Sequence, residues 1–586
     1  MATTVFTEVR HSLLSLIEQI SLGEIGLPDI QRPFVWKNTK VRDLFDSMYR
    51  GFPVGYLLFW ASGATGKVRQ IGADSKQKVP RLLIVDGQQR LTSLYAVLKG
   101  IPVLRDDFTH EKISIAFRPR DARFEVADAA IRKDPEFIPD ISDLWSGELH
   151  WSKFERQFID RLRERGVLTS DEEEERIRDC IDQLKDLRTY PFTVLELSTS
   201  VDEEQVAEVF VRINSAGATL SQADFILTLM SVHWDEGRYQ LEDFSRAARQ
   251  PGVGEASPYN HYIQPSPDQL LRVAIALGFR RARLQSVYSV LRGKDLETGE
   301  YSEALRDVQF DTLKNAQADV LNLQNWHDFL KALMRAGLKS SKMITSQTTL
   351  LYSYAMWLIG KREFGVDAFE LRNVIARWIF MAQLTGRYTG SYETTMEQDM
   401  ARLVDVKDAG GFVRALNTVI DDTLTSDFWQ ITMPNMLVTS AAAGPAIAAY
   451  DAALNLLDAR ALLSKVRVSE LLDPTHSAPK AAVERHHLFP KAYLKRAGFD
   501  TARQYNQVAN FAWVEWATNI EISDDAPDEY WPAEIAAKDF TVAELANMMK
   551  WHALPEGWQD TMYEEFLEKR RHLIAAVTRE GFERLA

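Results

Sequence analysis

Apolar residues recur at helical spacing in TEVRHSLLSLIEQI (7–20) and in VRDLFDSMYRG (41–51), so both segments are expected to be helices, the second ending at Gly51. Between them, IGLPDIQRPFVWKN carries Pro28 and Pro33, which favour extended or turn backbone. VGYLLFW and RLLIVD are apolar runs of strand length, and LTSLYAVLKG reads as a helix stopped by Gly100. The mixed charges of 151–190 fit solvated helix, and PFTVLELS (191–198) reads as a strand. Ser200 with Glu203 would cap the helix DEEQVAEVFVRIN, Gly217 would permit the turn that follows, and Ser221 would cap the next helix. From about 240 to 470 the pattern is mostly helical, interrupted most clearly at 250–269.

Strands interleaved with helices, then a long helical stretch, predict an α+β chain. The expected domains are 1–240, a helical region 241–439, and a last unit 440–586. A length of 586 residues allows two to four domains. No apolar run reaches 18 residues and the N-terminus does not read as a secretory signal, so no membrane partner and a cytoplasmic location are expected. The single cysteine, Cys180, excludes a disulfide within the chain and any multi-cysteine zinc site. A net charge of −14 argues against unselective binding to nucleic acid but leaves room for a local basic groove.

Two stretches carry candidate chemistry. In RLLIVDGQQRLTSL (81–94) a buried-strand run delivers Asp86-Gly87-Gln88-Gln89-Arg90 to a helix start, where backbone N–H groups and the helix dipole favour an anion. Gly87 would let a phosphate approach closely, and Arg90 would fork onto its oxygens. Asp86 could take a metal ion or a ribose hydroxyl, while Gln88 and Gln89 could orient water or a base. GKVRQIGADSK (66–76) is no Walker A loop, so a P-loop nucleotidase is not expected.

The second stretch is VERHHLFPKAYL (483–494), two adjacent histidines in a chain with only 11. A one-metal nuclease needs a base for water, a divalent cation at the scissile phosphate, and a group that fixes the base's tautomer. The ββα-metal (HNH, or His-Me finger) arrangement supplies these from a hairpin and helix, with a nine-residue step from its middle asparagine to its last ligand. Asn510 and Asn519 show that step. The assignment is His487 as general base, His486 and Asn519 as metal ligands, and Asn510 orienting the base. Asn506 rivals Asn510, and Glu484 rivals His486. A kinked strand end would be needed for both histidines to reach one site. With no zinc-binding cysteines, the hairpin would be held by packing of Phe511, Trp513 and Trp516, and the ion expected is Mg²⁺ or Mn²⁺.

QRPFVW (31–36), GFPVGYLLFW (51–60), IVDGQQRLTSL (84–94), VFVRINSAGATLSQAD (209–224), YSVLRGKD (288–295) and TGRYTGSYE (385–393) together resemble the GmrSD family of modification-dependent, type IV restriction enzymes, including its BrxU- and SspE-like members. HHLFPKAYL resembles that family's C-terminal nuclease domain. The resemblance implies an N-terminal domain of ParB/sulfiredoxin-like fold with a nucleoside-triphosphate site (ATP, GTP, CTP or UTP). Asp86, Gly87, Gln88 and Arg90 would form it, with Gln31 and Arg32 as neighbours and Asn214 and Gly217 as a second phosphate-side loop. Trp36 also has a plain core reading. The implied activity is NTP-regulated cleavage of modified double-stranded DNA, such as phage DNA, with a homodimer left open. The alternatives are a nucleotide-binding regulator with a degenerate HNH fold and an NTP hydrolase that does not act on DNA.

Overall fold

The computed structural model describes the chain apart from residues 1–4, 29–33, 62–67, 70–79, 106, 146–150, 169, 199–200, 202–204, 207–208, 210–221, 296–297, 299, 442, 476–482 and 516–523. The Ser200, Glu203, Gly217 and Ser221 capping and turn expectations lie outside the described residues. Two compact units divide the chain, Met1–Arg238 and Tyr239–Ala586.

The first unit is built on a six-stranded sheet in the order Phe6–Ser12, Pro191–Leu197, Leu57–Ala61, Leu82–Asp86, Ile25–Pro28, Val68–Arg69. Alternation along the central strands serves two cores. Leu57, Phe59, Leu82, Ile84, Phe192 and Val194 join the large core beneath the helices Leu13–Ser21, Asn38–Tyr49 and Gln88–Lys99. Leu58, Trp60, Leu83, Val85 and Leu197 form a second core on the opposite face. Strands covered on both sides read as continuous apolar runs, which is why LLFW and LLIV lack polar interruptions.

One expected helix is different. Residues 6–12 form a strand paired antiparallel with 191–197, from Phe6 opposite Leu197 to Ser12 opposite Pro191. The helix begins only at Leu13, with Ser12 as its N-cap accepting from the Ser15 amide. A partner strand about 180 residues further on supplies the ladder, and tertiary pairing overrides the local periodicity.

The second unit is mostly helical. Thr349–Gly360, most of the helix Gln347–Arg362, is buried on every side, as befits a helix wrapped by others. Residues 440–586 do not stand apart from the region before them. Helix Pro445–Leu456 packs against both Ala368–Thr385 and the C-terminal helix Tyr563–Glu583. Gly581 permits the second contact, because a Cβ there would sit 2.4 Å from the Ala453 Cβ. Phe582 packs its ring, tilted, against Phe380, and Asn455 donates to the Gly337 carbonyl at 2.8 Å. The expected boundary at 439/440 therefore falls inside one packed body. Among the described residues no helix is long and apolar enough to cross a membrane.

Candidate functional sites

The Asp86–Arg90 turn forms as expected, a strand ending at Asp86 and a helix starting at Gln88. Gly87 between them has φ +94°, a left-handed backbone that disfavours any side chain. A Cβ there would also lie 2.2 Å from Leu57 Cδ2. The glycine is thus demanded by the fold itself, whatever approaches from outside.

Arg90 Nη1 donates to the Val54 carbonyl at 2.7 Å, and Nη2 pairs with Asp86 Oδ2 at 3.2 Å. Gly55 lets the guanidinium in, since a Cβ at that position would meet Nη1 at 2.6 Å. Burial lowers the Arg90 pKa, and Asp86 partly offsets that. Arg90 therefore fastens the GFPVGY loop to the turn, where it had been expected to fork onto phosphate. Gln89 is likewise corrected. It is buried, and its Oε1 accepts from the amides of Val35 at 2.9 Å and Trp36 at 3.3 Å. Its side-chain oxygen holds the Val35 and Trp36 backbone, rather than a water or a base. Trp36 packs against the large core, as its plain reading had it. Asp86 and Gln88 stay partly exposed at the helix start. Gln31, Arg32, Asn214 and Gly217 lie outside the described residues.

In the second unit, Val483–His487 pairs antiparallel with Phe511–Glu515, with His487 opposite Phe511, His486 opposite Ala512 and Arg485 opposite Trp513. The pairing is regular, so strand alternation puts the two histidines on opposite faces. His486 is 5% exposed and packs edge-on against Tyr530. His487 lies on the other face, its ring 4.4 Å from that of Phe511. The expected kink that would bring both imidazoles to one site is not there, and His486 as a ligand beside His487 is corrected on that ground.

His487 Nε2 lies 2.9 Å from Asn506 Oδ1. An amide oxygen can only accept, so Nε2 carries the ring proton and Nδ1 keeps its lone pair. Burial lowers the His487 pKa; the Asn506 hydrogen bond raises it, and Lys491 lowers it further. The result is a neutral imidazole with one nitrogen ready to take a proton. Asn506, the rival, is therefore the asparagine that faces the imidazole. Asn510 is wholly buried, and its side chain accepts from the Phe489 amide at 2.9 Å and donates to the carbonyls of Phe489 at 3.0 Å and Tyr505 at 3.2 Å. It ties the loop after His487 to the loop carrying Asn506, and makes no hydrogen bond to the imidazole.

Packing holds the hairpin, as the missing cysteines required. Trp513 Nε1 donates to Asp451 at 2.7 Å, and the Arg485 guanidinium lies over the Trp513 ring while pairing with Asp451 at 3.1 Å. The C-terminal helix braces the Asn506 loop: Tyr563 donates to the Gln504 carbonyl, and fully buried Arg570 to that of Ala509 at 2.6 Å. Sequence reading missed Tyr563 and Arg570; a buried arginine in an amphipathic helix carries no local mark of its partner. Trp516 and the Asn519 ligand position lie outside the described residues, as does the Glu484 side chain. Among the described residues no group of three His, Cys, Asp or Glu could hold a metal ion.

A sheet-based N-terminal unit is joined in sequence to a helical unit with a histidine-bearing hairpin. Residues 13–231 match the family model described as "GmrSD restriction endonuclease, N-terminal domain". It is also similar to an uncharacterized protein of Methanocaldococcus jannaschii (MJ0686), 21% identical over 94% of this chain and 93% of the relative.

Proposed function

We propose that the chain is an NTP-regulated, divalent-metal-dependent endonuclease that cuts modified double-stranded DNA in type IV restriction. The family of the N-terminal domain supports a restriction role. The observation that carries the nuclease reading is the His487–Asn506 pair, a neutral imidazole with its tautomer set, half-buried at the end of a hairpin. Nδ1 of His487 takes a proton from water as the water oxygen bonds to phosphorus. The bond from phosphorus to the leaving sugar oxygen breaks, and that oxygen is protonated from solvent. A hard divalent ion, when bound, would polarise the phosphate. His486 does not fit as its ligand, and the same strand alternation removes Glu484, so Asn519 is the donor to examine. The nucleotide reading now rests on Asp86, Gln88 and the helix start they border, with Arg90 shaping the turn.

Nicking of supercoiled plasmid bearing modified cytosine tests this reading, with Mg²⁺ or Mn²⁺, with excess EDTA, and with and without each nucleotide. The expected result is nicking that needs the divalent ion and changes with nucleotide. Full activity in EDTA would contradict the metal dependence. Nucleotide hydrolysis with no nicking would favour the hydrolase alternative.

A further inference from the structure

The neighbourhood of His487 is rich in cations and poor in carboxylates. Residues 485–507 hold five cations, Arg485, Lys491, Lys495, Arg496 and Arg503, against one carboxylate, Asp500, in a chain of net charge −14. Lys491, Lys495, Arg496 and Arg503 are all exposed. None of these four has a carboxylate within ion-pair distance among the described residues. Lys491 and Lys495, one turn apart on the helix Lys491–Arg496, share a face. Their ammonium groups lie 5.1 and 5.8 Å from the centre of the Tyr505 ring, the residue before Asn506. Arg496 donates to the Asp524 carbonyl at 3.0 Å, which spends one of its five N–H groups and none of its charge.

We propose that Lys491, Lys495, Arg496 and Arg503 form the surface on which the phosphate backbone of duplex DNA lies, with Lys491 at the end nearest His487. This deepens the nuclease reading and rests on it for the choice of DNA as the polyanion. Cations left unpaired cost self-repulsion in the free protein, and a polyanion removes that cost while releasing its own counterions. Regular spacing of charge along a duplex suits a row of side chains that read no sequence. The surface would seat any duplex, so discrimination of modified DNA would lie elsewhere in the chain.

The test uses the full chain without divalent ion, so that binding is measured apart from cleavage. Anisotropy of a labelled, unmodified 30-base-pair duplex (about 30) is followed over a salt series. The four-fold variant Lys491→Gln, Lys495→Gln, Arg496→Gln, Arg503→Gln should lose about 0.9 from the log–log salt slope per contact, roughly 3 to 4 in all. A control variant, Lys314→Gln, Lys331→Gln, Lys550→Gln, Lys569→Gln, removes the same charge from ion-paired lysines and should keep the slope. Equal slopes for parent and four-fold variant, or equal losses in both variants, would overturn the proposal. So would binding to anionic phosphatidylserine vesicles that the four-fold variant loses while its DNA slope is unchanged. A lower slope in a protein that cuts no DNA would keep the surface and sink the nuclease reading; a normal slope in a variant that cuts normally would do the reverse.

Discussion

His487→Ala should lower DNA cleavage by about 10²–10⁴-fold, the usual cost of removing a general base. The fold should be little changed, because the imidazole is half-buried and makes one side-chain hydrogen bond, to Asn506. The pH dependence of the parent adds a second reading of the same group. Neutral imidazole is the active form, and burial sets the folded pKa below the ordinary 6.5. Cleavage should therefore fall on the acid side, with its half-maximal point below 6.5. Single-turnover rates against pH would show it. A variant cutting at more than about a tenth of the parent rate would remove His487 from the mechanism.

The two asparagines should separate cleanly, and Asn510→Ala should have the larger effect on stability. It strands the Phe489 amide and carbonyl in a wholly buried site and leaves the Tyr505 carbonyl only the Tyr563 hydroxyl at 3.5 Å. Each unsatisfied group costs about 1–3 kcal/mol, so the loss should be roughly 3 kcal/mol or more. Asn506→Ala removes a half-exposed partner and should cost within about 1 kcal/mol. Its cleavage should nevertheless fall on the order of ten- to a hundredfold, because the imidazole loses the group that fixes its tautomer. Denaturant midpoints paired with cleavage rates decide the matter. Equal stability loss in both variants, or an Asn506→Ala enzyme at full rate, would return the orienting role to Asn510.

What the sequence made legible is what local chemistry determines. The apolar run before Asp86, the glycine and the helix after it can be read within a dozen residues, and the turn formed there. The hairpin at His487 was legible for the same reason. What escaped was set by partners far along the chain. The strand at 6–12 carries an amphipathic pattern that also suits a helix, and its ladder lies at 191–197. Gln89 looks like a ligand group until the Val35 amide, 54 residues away in sequence, is found on its oxygen. Asn510 won over Asn506 on spacing to Asn519, yet spacing says nothing about which amide faces the imidazole. Strand alternation should have separated His486 from His487, and the regular register shows that it does.

The hairpin in the second unit is proposed to cut DNA, and the whole chain to restrict modified DNA. The most direct measurement compares purified parent and His487→Ala on two phage genomes that differ only in cytosine hypermodification, with Mg²⁺ and nucleotide present. The account predicts fragmentation of the modified genome by the parent, sparing of the unmodified one, and neither cut by the variant. Equal cutting of both genomes by the parent would contradict the dependence on modification, and equal cutting of the modified genome by parent and variant would contradict the assignment of the active site to His487.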